Sequence, residues 1–206
     1  MQALLKLSRG IDWLNTQVGK YVVWLILAST VISGVNAVVR KAFNVSCNAF
    51  LEVQWYLFAA SFLLAAGYTL LQGEHVKVDV VSSRFSKRTQ IWIDVFGYIA
   101  FLTPMCFAAL WYGIPFFTRA LASGEMSSNA GGLIRWPVYL MIPMGFSLLW
   151  LQGVSELIKR LAFLKGLIDD PTSKKAEKTA EEGLAESIRN LAEAAKGNGK
   201  NKAEAH

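Results

Sequence analysis

The stretch FLEVQWYLFAASFLLAAGYTLLQGEHVKVD, residues 50–79, decides the fold of this chain. Its apolar part, Phe50–Leu71, is long enough for a helix that crosses a bilayer, which needs about 20 residues. Glu52 lies one turn inside the start of this helix, and Gly73 is expected to end it. A carboxylate within a membrane-length helix is costly, so Glu52 needs a partner or a function.

Three more apolar runs of similar length occur in the chain, which has 206 residues and is 53% apolar. Prolines within the third and fourth runs are tolerated in membrane helices when neighbouring groups satisfy the freed carbonyls. We therefore predict an all-α integral membrane protein with four transmembrane helices. The predicted spans are approximately Tyr21–Val39, Phe50–Leu71, Ile91–Phe117 and Trp136–Leu157.

Lysine and arginine are distributed unequally between the two sides of the predicted membrane. The more basic side carries Lys6, Arg9, Lys20, Lys77, Arg84, Lys87, Arg88, Lys159, Arg160 and Lys165. The other side carries Arg40, Lys41, Arg119 and Arg135. The positive-inside rule then predicts that both termini and the loop of residues 73–90 are cytoplasmic. This topology also explains the net charge of +6, and anionic membrane lipid is the expected partner of the basic residues. No basic patch interleaved with aromatic residues indicates nucleic-acid binding.

Residues 1–19 carry an apolar stripe at three- and four-residue steps. Its members are Leu4, Leu7, Ile11, Leu14 and Val18. This periodicity predicts an amphipathic helix lying in the cytoplasmic membrane interface. The alternative is an N-terminal extension of the first span, which Gly10 and Gly19 weaken. We also expect the first span to remain as an anchor, because its apolar run is longer than that of a cleavable signal.

The four-helix domain is predicted to cover residues 20–165, and a tail follows at residues 166–206. After Pro171 the composition is dominated by Ala, Lys, Glu and Asn, without aromatic residues. Such a segment cannot bury enough apolar surface to fold alone. We predict a disordered or partly helical cytoplasmic tail.

No combination of residues in the sequence indicates catalysis or a bound cofactor. The two histidines, His75 and His206, both lie outside the predicted spans, where they could not bind a haem within the bundle. No set of cysteine and histidine has the spacing of a metal site, and no glycine-rich phosphate loop is present. We predict that the chain is not an enzyme and holds no cofactor or metal.

Glu52 has two interpretations that the sequence leaves open. It could couple transport to protons or cations, as carboxylates within membranes often do. It could instead be structural, pairing with Arg40 or Lys41 on the same external side or lying at a subunit interface. Coupling sites more often lie near the midplane, whereas Glu52 lies near a helix end. This position favours the structural interpretation.

His75 and Asp79 are four residues apart and share a face in either a helix or an extended segment. Asp94, at the cytoplasmic start of the third span, is a further candidate partner. These residues could sense pH, but hydrogen bonds that fix the loop are favoured.

Two stripes of small residues predict close packing between helices, because small side chains let backbones approach in lipid. The members are Ser29, Ser33 and Ala37 in the first span, and Ser61, Ala65 and Thr69 in the second. At the end of the fourth span, Glu156 is spaced to pair with Lys159 and Arg160.

Several motifs taken together resemble the small membrane subunit of tripartite ATP-independent periplasmic transporters. They include Glu52-x-Gln54-Trp55-Tyr56-Leu57-Phe58, the stretch of residues 67–70, and the segment from Gly73 through His75 to Asp79. Supporting motifs are Gly124-Glu125-Met126-Ser127, Trp136-Pro137, Ile142-Pro143-Met144-Gly145 and Leu151-Gln152. The resemblance covers about residues 15–165 and is closest to the mannitol/chloroaromatic-type branch.

This resemblance implies a multi-pass protein of the bacterial inner membrane that binds a large multi-span transporter subunit. In the family, the large subunit carries the sodium and substrate sites, and a periplasmic binding protein delivers an organic acid. The small subunit is implied to be a scaffold that helps to dock the binding protein. Two alternatives remain: a stand-alone four-helix proton-coupled exporter that uses Glu52, and a membrane assembly or regulatory protein whose tail recruits a partner.

Overall fold

Helices make up nearly all of the described structure, a computed structural model that covers residues 2–43, 48–73 and 85–168. The elements are α1 (Gln2–Phe43), α2 (Asn48–Gln72), α3 (Lys87–Gly97), a π-helical turn (Tyr98–Leu102), α4 (Thr103–Ser123) and α5 (Trp136–Leu164). Four helical segments are long and apolar enough to cross a membrane, with α3, the π-helical turn and α4 forming one of them. These segments confirm the prediction of an all-α protein with four candidate spans.

Each helical segment contains its predicted span and extends beyond it at one or both ends. Composition marks the apolar part of a helix, whereas backbone hydrogen bonding continues into polar residues at either end. The second segment illustrates this, since α2 begins at Asn48 and ends at Gln72. Gly73 follows with a φ of 73°, and its N–H donates to the carbonyls of Thr69 and Leu70. This is the predicted break.

Residues 2–43 form one uninterrupted helix, which corresponds to the alternative of an N-terminal extension of the first span. A separate helix over residues 1–19 is not found, because α1 continues through Gly10 and Gly19 without a turn. Most of the expected apolar stripe is exposed, including Leu4, Leu7 and Leu14. A different face of the helix packs on the bundle. Whether the first turns lie in the membrane interface stays a prediction.

α5 is the central helix of the described structure, because it contacts every other helical element. α1 and α2 pack on each other and on α5, and α4 packs along α5. The interior combines apolar and polar side chains, and the largest that are fully buried are Gln152, Asn15, Cys106, Ser8 and Ser155. Large apolar side chains point outwards, as in Trp111 (77% exposed) and Phe62 (72% exposed). This distribution is expected for a protein in lipid, because burying apolar side chains gains no hydrophobic free energy when the solvent is itself apolar.

Small residues bring the helix backbones together, although only part of the two predicted stripes is buried. Ser29 and Ser61 are buried, and Ser29 donates a hydrogen bond of 3.0 Å to the carbonyl of Gln54. Ser33, Ala65 and Thr69 are partly buried, and Ala37 is exposed. Glycines mark the closest approach between α2 and α5. A Cβ atom at Gly145 would lie 2.6 Å from the carbonyl oxygen of Leu63.

We expect Gly145→Val to force α2 and α5 apart, because the obstacle is backbone and cannot rotate away. Overpacking of this kind destabilises by about 2 kcal/mol. The measurement is the thermal unfolding of the purified protein in detergent. Gly10→Ala is the control, since a Cβ atom there meets nothing within 4 Å and alanine favours the helix. Equal unfolding temperatures for both variants would contradict the close packing at Gly145.

Candidate functional site

The loop between α4 and α5 folds back over the beginning of α2. Gly124 ends α4 in a left-handed conformation with a φ of 60°. The loop then closes on itself, as Ser127 N–H donates to the carbonyl of Leu133 at 2.9 Å and Arg135 N–H donates to that of Glu125 at 2.9 Å. Met126 and Ile134 form an isolated antiparallel bridge. The result is a short, internally bonded loop.

Glu52 holds this loop to α2. Its carboxylate accepts hydrogen bonds from the Ser127 hydroxyl, from Asn129 Nδ2 at 2.9 Å and from Leu133 N–H at 2.6 Å. Only 2% of Glu52 is exposed. Three donors satisfy a carboxylate without an ion pair, since hydrogen bonds to a charged acceptor are strong. The suggested ion pair between Glu52 and Arg40 or Lys41 is wrong, because the carboxylate points towards the loop instead. We call Glu52 and these three donors the loop cluster.

Neighbouring side chains of α2 add further contacts to the loop. The Tyr56 hydroxyl donates to the Ile134 carbonyl at 3.1 Å, and Asn48 Nδ2 donates to the Ala130 carbonyl at 3.0 Å. Trp55 is 45% exposed and packs edge-on against the Tyr56 ring, with 4.4 Å between ring centroids. Three side chains of α2 thus hydrogen-bond different parts of the loop, and Trp55 leaves an aromatic surface beside it.

A second polar cluster joins the beginning of α1 to the end of α5. Lys159 Nζ lies 3.1 Å from Asp12 and also pairs with Glu156. Arg160 pairs with Glu156 at 2.5 Å and with Asp94 of α3 at 3.0 Å. The signs alternate, so each cation lies between two acids. We call these five residues the charge cluster. The pairing of Glu156 with both cations confirms the expectation from their spacing.

Neutral polar groups extend the charge cluster towards the middle of the bundle. The hydroxyls of Ser8 and Ser155 lie 2.7 Å apart. Gln152 donates to Asp12 Oδ1 at 2.9 Å and accepts from Asn15 Nδ2 at 2.9 Å. These bonds tie α1 to α5 over the successive turns of α1 that carry Ser8, Asp12 and Asn15. Within the described residues Asn15 Oδ1 is buried without a hydrogen-bond partner, which has a cost in such a network.

Arg160 also fixes the π-helical turn. Its guanidinium carbon lies 4.7 Å from the centroid of the Tyr98 ring, a cation–π contact. The Thr103 hydroxyl donates to the Tyr98 carbonyl at 2.9 Å, and Pro104 follows without an N–H. The irregular turn therefore lies where one cation of α5 contacts both α3 and the turn itself.

The structure separates the predicted site residues into two groups at opposite ends of α5. Glu52, Tyr56 and Trp55 lie at one end, and Asp94 lies in the charge cluster at the other. About 30 Å of helix separates Trp136 from Glu156. His75 and Asp79 lie outside the described residues. The two clusters therefore cannot form one site.

Sequence reasoning did not find the contribution of Ser8, Asp12 and Asn15. Their spacing carried a signal, since steps of four and three residues place them on one helical face. Gly19 and Val22 continue that face, and both are buried. In a membrane helix the polar stripe, rather than the apolar stripe, marks the face that packs on protein. Among the described residues, no group of three or more His, Cys, Asp or Glu side chains could hold a metal ion.

Comparison with known families shows what the chain is similar to. Residues 29–163 match the family described as tripartite ATP-independent periplasmic transporters, DctQ component. The matched region begins within α1 and ends at the last turn of α5, so it includes the loop cluster and all of the charge cluster except Asp12. Among the curated proteins and the solved structures, none matches the chain.

Proposed function

The chain belongs to the DctQ family, the small membrane component of tripartite ATP-independent periplasmic transporters, and from this we propose that it is the scaffold subunit of a sodium-coupled importer of an organic acid. A large multi-span subunit carries the sodium and substrate sites in this proposal. A periplasmic binding protein delivers the substrate, and the closest branch is the mannitol/chloroaromatic type. A transporter component also agrees with the expectation that the chain is not an enzyme.

The bonding of Glu52 is the observation that most supports a scaffold role. A coupling carboxylate has to exchange ligands during the transport cycle and usually lies near the midplane. Glu52 instead accepts three hydrogen bonds from one loop and lies one turn from the start of α2. This bonding indicates that Glu52 holds the loop in place, and it argues against Glu52 as a site that binds and releases an ion.

The proposed orientation places the loop cluster on the periplasmic side of the bacterial inner membrane and the charge cluster on the cytoplasmic side. Both termini are then cytoplasmic, in accordance with the positive-inside rule. The α4–α5 loop would help to receive the binding protein. The exposed apolar faces of α1 and α2, which include Trp24 and Phe58, would contact the large subunit or lipid.

Transport assays of reconstituted vesicles test the proposal. We expect the chain alone to give no substrate-dependent proton or sodium flux, and the complex with its large subunit and binding protein to import substrate when a sodium gradient is applied. Mild-detergent purification followed by mass spectrometry should also recover a large multi-span protein with the chain. Substrate-dependent proton flux from vesicles holding this chain alone would overturn the scaffold role and support the stand-alone exporter that uses Glu52.

A further inference from the structure

An open groove of about 610 Å³ runs along the outer face of α4 where it meets α5. Its lining is mostly apolar and aromatic, with Ile142 contributed by α5. Neither the loop cluster nor the charge cluster contributes a side chain to it. The groove is therefore a third feature of the molecule, which the scaffold function does not explain.

Gly113 and Pro115 shape this groove. A Cβ atom at Gly113 would lie 3.0 Å from Cγ2 of Ile142, so the missing side chain lets α5 approach the floor of the groove. Pro115 lies inside α4 and has no N–H to pair with the carbonyl of Trp111. Trp111 and Tyr112 stand beside the floor with 77% and 75% of their surface exposed. An apolar floor bordered by exposed aromatic side chains fits a flexible hydrocarbon chain.

Arg119 supplies a positive charge at one end of the groove. It lies seven residues after Tyr112, on the same helical face and about 10 Å further along the axis. The side chain is exposed, and within residues 2–43, 48–73 and 85–168 it makes no ion pair or hydrogen bond. α4 ends at Ser123, so Arg119 lies about one turn from the helix end and just beyond Phe117, the predicted end of the span. A long cationic side chain at such a position can reach the lipid headgroups.

We propose that this groove binds one anionic phospholipid, with its phosphate on Arg119 and an acyl chain lying along the aromatic side chains towards Ala109. The distance from Arg119 to Ala109 is about 15 Å along the helix, which is half the hydrocarbon thickness of a bilayer and so the depth of one leaflet. A phospholipid provides a phosphate for the guanidinium and an apolar chain for the groove. A partner helix that filled the groove would bury Arg119 and would have to bring its own acid there.

Lipid retention by the purified complex tests this proposal. The complex is placed in nanodiscs of equal parts phosphatidylglycerol and phosphatidylethanolamine, transferred to detergent and washed, and the bound lipid is identified by mass spectrometry. We expect the unaltered complex to retain phosphatidylglycerol preferentially. Arg119→Gln should lower the ratio of retained phosphatidylglycerol to phosphatidylethanolamine about fivefold, the effect of about one cationic side chain near a phosphate. Arg40→Gln, which removes an exposed cation from the last turn of α1, is the matched control and should leave the ratio unchanged.

Two further variants distinguish the contribution of the groove to lipid binding from that of the Arg119 charge. Ala109→Trp fills the inner end of the groove and should lower the retention of both lipids, while Arg119 stays in place. A photo-cross-linking residue at position 112 should label lipid. An unchanged lipid ratio in Arg119→Gln would overturn the proposal, and so would cross-linking of position 112 to the large subunit.

Discussion

Glu52→Ala is expected to release the α4–α5 loop from α2 and to weaken assembly or transport, without affecting substrate binding by the delivery protein. The substitution removes the acceptor of three hydrogen bonds at once and leaves the Leu133 N–H, the Ser127 hydroxyl and the Asn129 amide without that partner. Because charged hydrogen bonds contribute more than neutral ones, we expect the midpoint of thermal unfolding to fall by about 5 °C.

Two variants serve as controls for Glu52→Ala. Glu52→Gln keeps one oxygen acceptor but presents an NH₂ group to donors, so its unfolding temperature should lie between those of the alanine variant and the parent. Glu125→Gln removes an exposed acid of the same loop, whose pair with Arg135 spans 3.5 Å, and should change little. A purified Glu52→Ala complex that assembles and transports at the parental rate would show that Glu52 is not needed.

Arg160→Leu is expected to have the larger effect on stability. Arg160 is buried and lies between Glu156 and Asp94, with the Tyr98 ring on its face. The substitution takes a buried cation away from both acids. Glu156 keeps its pair with Lys159, but the carboxylates of Glu156 and Asp94 would then face each other across the vacated position. The expected loss is about 4 kcal/mol, or about 10 °C in the midpoint of unfolding.

Arg160→Lys and Lys165→Leu are the controls for this prediction. The lysine variant keeps the charge but loses the planar guanidinium, so it should recover only part of the stability. Lys165 follows α5 and is exposed, so its replacement removes a cation from the same helix end without touching the charge cluster. If Arg160→Leu and Lys165→Leu unfold at the same temperature, the charge cluster does not stabilise the bundle.

The number and approximate limits of the spans could be predicted from the sequence, because an uninterrupted apolar run of about 20 residues is typical of a helix that crosses a membrane. The pairing of Glu156 with Lys159 and Arg160 could be predicted for a similar reason, since residues three and four apart on a helix are neighbours. Both predictions rest on local spacing. They need no knowledge of which helix lies beside which.

The partner of Glu52 and the packed face of α1 could not be predicted in this way. Arg40 and Lys41 were the nearest cations along the chain, but neutral donors more than 70 residues away satisfy the carboxylate. For α1, the apolar stripe of residues 1–19 was predicted to lie in the membrane interface, and its spacing did not indicate which face packs on the other helices. In a bilayer the apolar side can face lipid, and the buried face carries Ser8 and Asn15. Both features depend on tertiary contacts, which the local spacing of residues does not reveal.

The contact between α1 and α5 has a consequence for the order in which the protein is made. Ser8 and Ser155 are 147 residues apart, as are Asp12 and Lys159. The polar face of α1 emerges from the ribosome first, and its partners on α5 emerge only after the three preceding helical segments have been synthesised. Until α5 has been synthesised, Asp12 and Asn15 therefore lack their α5 partners, and water, lipid headgroups or the insertion machinery must solvate them. The last of the four candidate spans therefore supplies the polar partners of the first.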